Sequence, residues 1–164
     1  MSLILSQAER RLSDQASFAA AADARAATVT SAAAAIATAG VGAFAAALSS
    51  GVNWPLAVGS AVCVLGFGHA ARRALQSART AMFHPAGYRP RDFAFDITGN
   101  HPIEQTHAEM AEDLDERLEF NSGILAQRGG LIDGAMDALW MTPAVAAVAA
   151  GVTAAFEAML RATI

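Results

Sequence analysis

A stretch of forty-six residues without a single charged side chain, between Arg25 and Arg72, limits what this chain can fold into. It holds two uncharged runs, Ala26–Leu48 of 23 residues and Val52–Ala71 of 20, and a third run, Ala138–Phe156, has 19. A helix needs about 20 largely apolar residues to cross the hydrocarbon core of a bilayer. Because lipid offers the backbone no hydrogen-bonding partner, a spanning run must be helical. The sequence therefore predicts an all-α membrane protein with three transmembrane helices.

The competing interpretation is a soluble, alanine-rich helical bundle. The hydrophobic share of the chain is 54% and the charged share only 16%, whereas an ordinary soluble domain has about 25% charged residues. A soluble amphipathic helix carries charge on its outward stripe, and the first two runs have no such stripe. The sequence therefore favours membrane insertion, with the lipid bilayer as a partner.

The distribution of arginine predicts the orientation of the spans. All eleven positive charges are Arg, and ten of them lie in the segments 1–25 and 72–137. Because cytoplasmic flanks carry the excess of positive charge, we expect the N-terminus in the cytoplasm. The predicted organisation is a cytoplasmic N-terminal helix at 1–25, spans at 26–48, 55–71 and 138–158, an extracytoplasmic turn at 49–54, a cytoplasmic loop and helix at 72–137, and an extracytoplasmic tail at 159–164.

Two rows of apolar residues recur at seven-residue intervals in the segments that lead into the first and third predicted spans, and this is the spacing of a coiled-coil-like seam. The first leads into the first span, and the second lies in a helix predicted from Ile103 to Leu139 and leads into the third. The rows are Leu5, Leu12 and Ala19, and Leu118, Leu125, Ile132 and Leu139. Polar Asn121 and Arg128 interrupt the second row at its other core position. We expect this seam to pack on the N-terminal helix.

Small residues four positions apart predict close packing between the membrane helices. The spacings are Gly42/Ala46, Gly59/Cys63 and Ala147/Gly151/Ala155. Small side chains let membrane helices approach closely, and the first span has few large apolar residues to bury in lipid. We therefore expect the chain to form a homo-oligomer.

Residues that carry chemistry are few. No Ser/His/Asp or Cys/His grouping, phosphate loop or HExxH motif occurs, so we expect no enzymatic activity and no cofactor. His101, Glu104 and His107 do not share one tight helix face, so we predict no metal site. The net charge of −4 at pH 7 gives no reason to expect a nucleic-acid polymer as partner.

The loop sequence GYRPRDF is the best candidate for a ligand site. Arg89 and Arg91 supply forked donors for a phosphate group, and Tyr88 and Phe93 supply surfaces on which a base can stack. Arg117 and Asn121 on the following helix are candidates for the same site. An alternative of equal weight is that the two loop arginines hold anionic lipid headgroups.

The order of these parts resembles a known family. A helix bearing AADARA leads into the first span, and the loop FHPAGYRPRDF and the polar helix DERLEFNSGILAQRGGLIDGAM separate the second span from the third. This layout is similar to the transmembrane effectors of the Pycsar anti-phage systems, in which Ala24 and Arg25 would take a variable and a basic place. The resemblance implies a bacterial inner-membrane protein that detects cyclic UMP or cyclic CMP in the cytoplasm and impairs the membrane.

Two other functions remain open from the sequence. One is a non-enzymatic accessory or structural subunit of a larger inner-membrane complex, which would bind no ligand. The other is an effector of the related CBASS systems, which would respond to a cyclic oligonucleotide.

Overall fold

In the computed structural model, three long helices lie within the residues that the structure describes. It describes residues 2–49, 51, 53–79, 83–85, 99 and 102–163. Helix α1 is Ser2–Ser49, α2 is Trp54–Ala78 and α3 is Ile103–Thr163, and no strand occurs within the described residues. All three helices are long and apolar enough to cross a membrane. The all-α prediction and the three predicted apolar helices are confirmed.

Helix α2 begins at a well-formed cap. Asn53 precedes its first residue, and the side chain of Asn53 accepts a hydrogen bond from the backbone N–H of Leu56 at 3.2 Å. Pro55 lies in the first turn, where a proline removes no helical hydrogen bond. Gly51 takes a positive φ of 87° in the preceding turn, a conformation that glycine adopts without strain.

Helix α2 continues beyond the predicted second span. The span was predicted at 55–71, and the helix extends past it to Ala78. Arg, Ala, Leu and Gln in this extension are good helix formers. The helix therefore does not stop at the first charged residue after its apolar run.

Helix α3 is a single helix of 61 residues. It joins the predicted cytoplasmic helix to the predicted third span, as expected. It also runs without interruption through Gly129 and Gly130 and through Pro143. These residues weaken a helix when it is isolated, so packing against neighbouring helices stabilises α3 here.

Contacts divide the chain into two compact units. Unit 1 contains Met1–Ala22 and Thr80–Arg128, and unit 2 contains Asp23–Arg79 and Gly129–Ile164. In unit 1 the side-chain amide of Gln15 donates to the carbonyl oxygen of Leu118 at 3.1 Å. This contact brings the beginning of the predicted seam, at Leu118, against the N-terminal helix; packing of the rest of the seam on that helix stays a prediction.

The core of unit 2 is built largely from alanine. Val29, Ala74 and Ala135 form one buried cluster, with Leu139 packed against it. A second cluster contains Ala33, Phe67 and Ala70. Each cluster draws on α1 and α2, and the first also on α3, so three helices share this core.

Buried positions along α1 and α3 follow a seven-residue repeat. The repeat contains Leu12, Ala19, Ala26, Ala33 and, two intervals later, Ala47 on α1, and Leu114, Asn121, Arg128, Ala135 and Thr142 on α3, while Val29 and Ala146 are buried outside it. A seven-residue repeat is typical of helices that coil around each other. The leucines of the predicted seam are only half-buried. The α3 row that contains Asn121 and Arg128 therefore lies deepest.

Candidate functional site

Asn121 binds the backbone of His84 in unit 1. The Asn121 side chain is fully buried. Its Oδ1 accepts a hydrogen bond from the backbone N–H of His84 at 3.0 Å, and its Nδ2 donates to the carbonyl oxygen of His84 at 3.0 Å. The His84 ring meets Phe120 edge to face, with centroids 4.9 Å apart at 65°. We call this arrangement of Asn121, Phe120 and His84 the His84 clamp.

The clamp explains why a polar residue occupies a core position. A buried amide without partners is costly, whereas Asn121 uses both its donor and its acceptor on one peptide segment. Sequence analysis selected Asn121 as a candidate site residue but missed His84. The available signal was the polar residue in an apolar row, which implies a buried partner without saying where that partner lies in the sequence.

Arg117 lies one helical turn before Asn121 on α3. Its guanidinium forms an ion pair with Asp113 at 2.8 Å, and its side chain is 22% exposed. Arg117 and Asn121 are therefore neighbours along one helix face, as the predicted site requires. The other four predicted site residues, which are Tyr88, Arg89, Arg91 and Phe93, lie outside the described residues, and their part in the site stays a prediction.

An open groove runs between α1 and α3 in unit 1. One part has a volume of about 570 Å³ and is lined by Arg11, Asp14, Gln15, Phe18, Asp115, Leu118, Glu119 and Ser122. An adjoining part of about 390 Å³ shares Arg11, Asp115 and Leu118 and adds Glu112. Four carboxylates and one guanidinium make the groove acidic. It is therefore unsuited to a phosphate ligand.

The described residues contain no group of three or more His, Cys, Asp or Glu side chains able to hold a metal ion. His101 lies outside the described residues, and Glu104 and His107 are on the first turns of α3.

Glycines bring the helices of unit 2 close together. A Cβ atom added at Gly40 would lie 3.0 Å from Cγ2 of Val64, and one at Gly59 would lie 3.3 Å from Cβ of Ala150. By contrast, a Cβ at Gly42 or Gly151 would meet nothing within 4 Å. Of the predicted small-residue positions, Gly59 therefore packs within unit 2, and Gly42 and Gly151 leave open space beside them.

Comparison of this chain with protein-family models, curated proteins and solved structures found no match. The resemblance to Pycsar effectors therefore rests on the order of sequence elements alone.

Proposed function

We propose that this chain is a three-span bacterial inner-membrane effector of an anti-phage system. It detects a cyclic pyrimidine mononucleotide, cUMP or cCMP, in the cytoplasm and then impairs the membrane. Insertion into the membrane, detection of the ligand and transmission of the signal are supported by different parts of the chain.

Exposed apolar surface supports insertion. Of the twenty large apolar side chains that are exposed among the described residues, seventeen belong to unit 2. Leu65 is 74% exposed, and Val148 and Val152 are each 66% exposed. Only 11%, 22% and 11% of the most apolar windows of α1, α2 and α3 are buried. Apolar surface on this scale is unfavourable in water and marks contact with a membrane or another protein.

Aromatic and charged residues support the orientation. Trp54 and Trp140 are exposed at 56% and 77%, and tryptophan is enriched where a membrane meets water. Arg72 and Arg73 follow the uncharged run of α2, and Arg25 precedes that of α1. These positions favour a cytoplasmic location for the N-terminus and for the segment that joins α2 to α3.

The His84 clamp supports detection of a nucleobase. The backbone of His84 presents one donor and one acceptor to the amide of Asn121. The Watson–Crick edge of uracil or cytosine also presents a donor beside an acceptor, and proteins read such edges with amide side chains. We therefore expect the base to compete with His84 for Asn121, while Arg89 and Arg91 bind the cyclic phosphate.

Helix continuity supports transmission. α1 and α3 each supply residues to both units and have no break between them. A ligand shifts a conformational equilibrium only by its different affinity for the two states. Release of His84 from Asn121 provides such a difference, because α3 contains Asn121 and continues into the predicted third span.

The predicted topology is tested by cysteine labelling. In a Cys63→Ala background, Ser49→Cys should react with a membrane-impermeant maleimide in intact cells, and Glu119→Cys should react only after lysis. Both residues are exposed, so the difference reports the side of the membrane and not burial. Labelling of the Glu119 variant alone in intact cells would reverse the proposed topology.

The proposed ligand is tested by titrating the purified full chain, in mild detergent, with cUMP and cCMP, and with cyclic AMP as a purine control. We expect pyrimidine binding that is lost in the Arg89→Ala/Arg91→Ala double variant. Arg10→Ala/Arg11→Ala removes the same charge and should bind normally. Co-expression with a pyrimidine cyclase should permeabilise cells only when the chain binds the ligand.

Two results would replace the proposal. Failure of the wild-type chain to bind any cyclic nucleotide would favour the accessory subunit of a larger complex. Binding of a cyclic oligonucleotide, with none of cUMP or cCMP, would favour a CBASS-type effector.

A further inference from the structure

The guanidinium of Arg73, on α2, lies over the backbone of α3 at Gly134 in unit 2. A Cβ atom added at Gly134 would lie 2.7 Å from Cζ of Arg73 and 3.3 Å from its Nε. These distances are shorter than ordinary carbon contacts, so only a residue without a side chain leaves room for the guanidinium. The absence of a side chain at Gly134 therefore leaves the space that the end of the flexible Arg73 side chain occupies.

Arg73 makes no hydrogen bond or ion pair in the part of the chain that the structure describes. Its side chain is half-buried, although a guanidinium has five N–H groups to satisfy. Asp133 and Asp137 are close to Gly134 in sequence, but both are exposed and neither pairs with Arg73. A half-buried cation without an anionic partner is suited to an anion from outside the chain.

The position of Arg73 along the helices identifies the region of this anion. Arg73 follows the uncharged run Val52–Ala71 by two residues, and Gly134 precedes the run Ala138–Phe156 by four. Immediately beside them, Ala74 and Ala135 pack in the core of unit 2. Two apolar runs that are separate in the sequence therefore have their edges at the same level, where lipid phosphates would lie if unit 2 spans a bilayer.

We propose that Arg73, whose guanidinium lies against Gly134, and the adjacent exposed Arg72 form a binding site for a phosphate group. Arginine binds phosphate through two parallel N–H groups, and a second guanidinium adds charge. The phosphate is either the headgroup of an anionic lipid or a soluble phosphate. This site shares no residue with the proposed cyclic-nucleotide site, and only the lipid alternative depends on the proposed membrane insertion.

The site is tested on the full chain in an uncharged detergent. Native mass spectrometry measures retention of phosphatidylglycerol against phosphatidylcholine, and phosphorus NMR measures binding of inorganic phosphate. We expect Arg73→Ala to weaken binding about tenfold to a hundredfold, the range for one charge-assisted pair. Arg10→Ala removes an equal charge at an exposed position of unit 1 and should leave binding unchanged.

Two glycine variants test whether the position of the Arg73 guanidinium matters when its charge is unchanged. Gly134→Ala keeps Arg73 but displaces the end of its flexible side chain. Phosphate binding should then weaken about tenfold, which is less than we expect when the charge-assisted pair between Arg73 and phosphate is lost completely. The control is Gly130→Ala, one turn earlier, where the added Cβ atom would meet nothing within 4 Å. It has the same effect on helix propensity and should bind like the wild type.

Preference for phosphatidylglycerol over phosphatidylcholine would identify a lipid headgroup, and binding of inorganic phosphate without that preference would identify a soluble ligand. No binding of either, or equal binding by the wild type, Arg73→Ala and Gly134→Ala, would overturn the site. Equal losses in the Gly130 and Gly134 variants would also overturn it, because the cause would then be helix stiffness. None of these results depends on whether the chain binds cUMP or cCMP.

Discussion

Replacing Gly66 by Ala tests how closely α2 packs on α3 in unit 2. A Cβ atom at Gly66 would lie 2.9 Å from Cβ of Thr142 and would also meet its Oγ1 and Cγ2 atoms. Thr142 is only 6% exposed, and its hydroxyl donates to the carbonyl oxygen of Ala138 at 2.5 Å. Its side chain therefore has little freedom to move aside, and the added methyl group must push the two helices apart.

Two opposing effects determine the size of the change. Overpacking a well-packed interior costs about 1–3 kcal/mol, whereas Gly→Ala inside a helix contributes about 1 kcal/mol of stability. Gly68 is the matched control, since it lies on the same helix and a Cβ there meets nothing within 4 Å. Gly68→Ala has only the favourable effect. We therefore expect Gly66→Ala to be less stable than Gly68→Ala by about 1–3 kcal/mol.

Thermal unfolding in detergent, followed by far-ultraviolet circular dichroism, measures this difference. For a chain of this size, each kcal/mol corresponds to about 2–4 °C in Tm. Adding Thr142→Ala to Gly66→Ala removes Oγ1 and Cγ2 but leaves the close Cβ, so the double variant should recover only part of the loss. Equal stability of the Gly66 and Gly68 variants would refute the packing of Gly66 against Thr142.

Two further predictions concern hydrogen bonds. Asn121→Ala removes both hydrogen bonds to His84, worth about 1–3 kcal/mol together, so hydrogen exchange at the His84 amide should accelerate about 5-fold to 150-fold. Ser122→Ala, at an exposed position, should leave that exchange rate unchanged. The same rate in both variants would argue against the clamp. Asn53→Ala removes the cap that binds the N–H of Leu56 and should destabilise unit 2 by about 1 kcal/mol in a thermal melt, whereas Asn53→Asp, which keeps the acceptor, should not.

The helices themselves could be predicted well from the sequence. The predicted N-terminal helix at 1–25 leads into the predicted span at 26–48, and both lie in one helix, Ser2–Ser49. A long stretch without proline, and almost without glycine before its last turns, leaves few alternatives to a continuous helix. The sequence did not indicate where α2 ends, because charged residues after an apolar run are good helix formers and carry no stop signal.

Contacts between distant segments could not be predicted in the same way. The periodicity of α3 predicted a row of inward-facing leucines that is only half-buried, whereas the full burial of Asn121 depends on a partner 37 residues away in the sequence. The packing of the Arg73 guanidinium against Gly134 depends on how α2 and α3 align. Neither contact produces a local sequence pattern, because the sequence of a short loop segment, or a single glycine, does not show whether another residue packs against it.

Comparing the energies in the two units indicates where a ligand can act. A ligand that binds only one state, at about 100 times its Kd, contributes about 2.7 kcal/mol to that state. The His84 clamp consists of two neutral hydrogen bonds, worth about 1–3 kcal/mol together, and His84 itself is exposed. In unit 2, by contrast, glycine and alanine contacts hold three helices together, and a change of packing must alter many contacts at once. A ligand of ordinary affinity can therefore release the clamp, and we expect the switch to begin at Asn121.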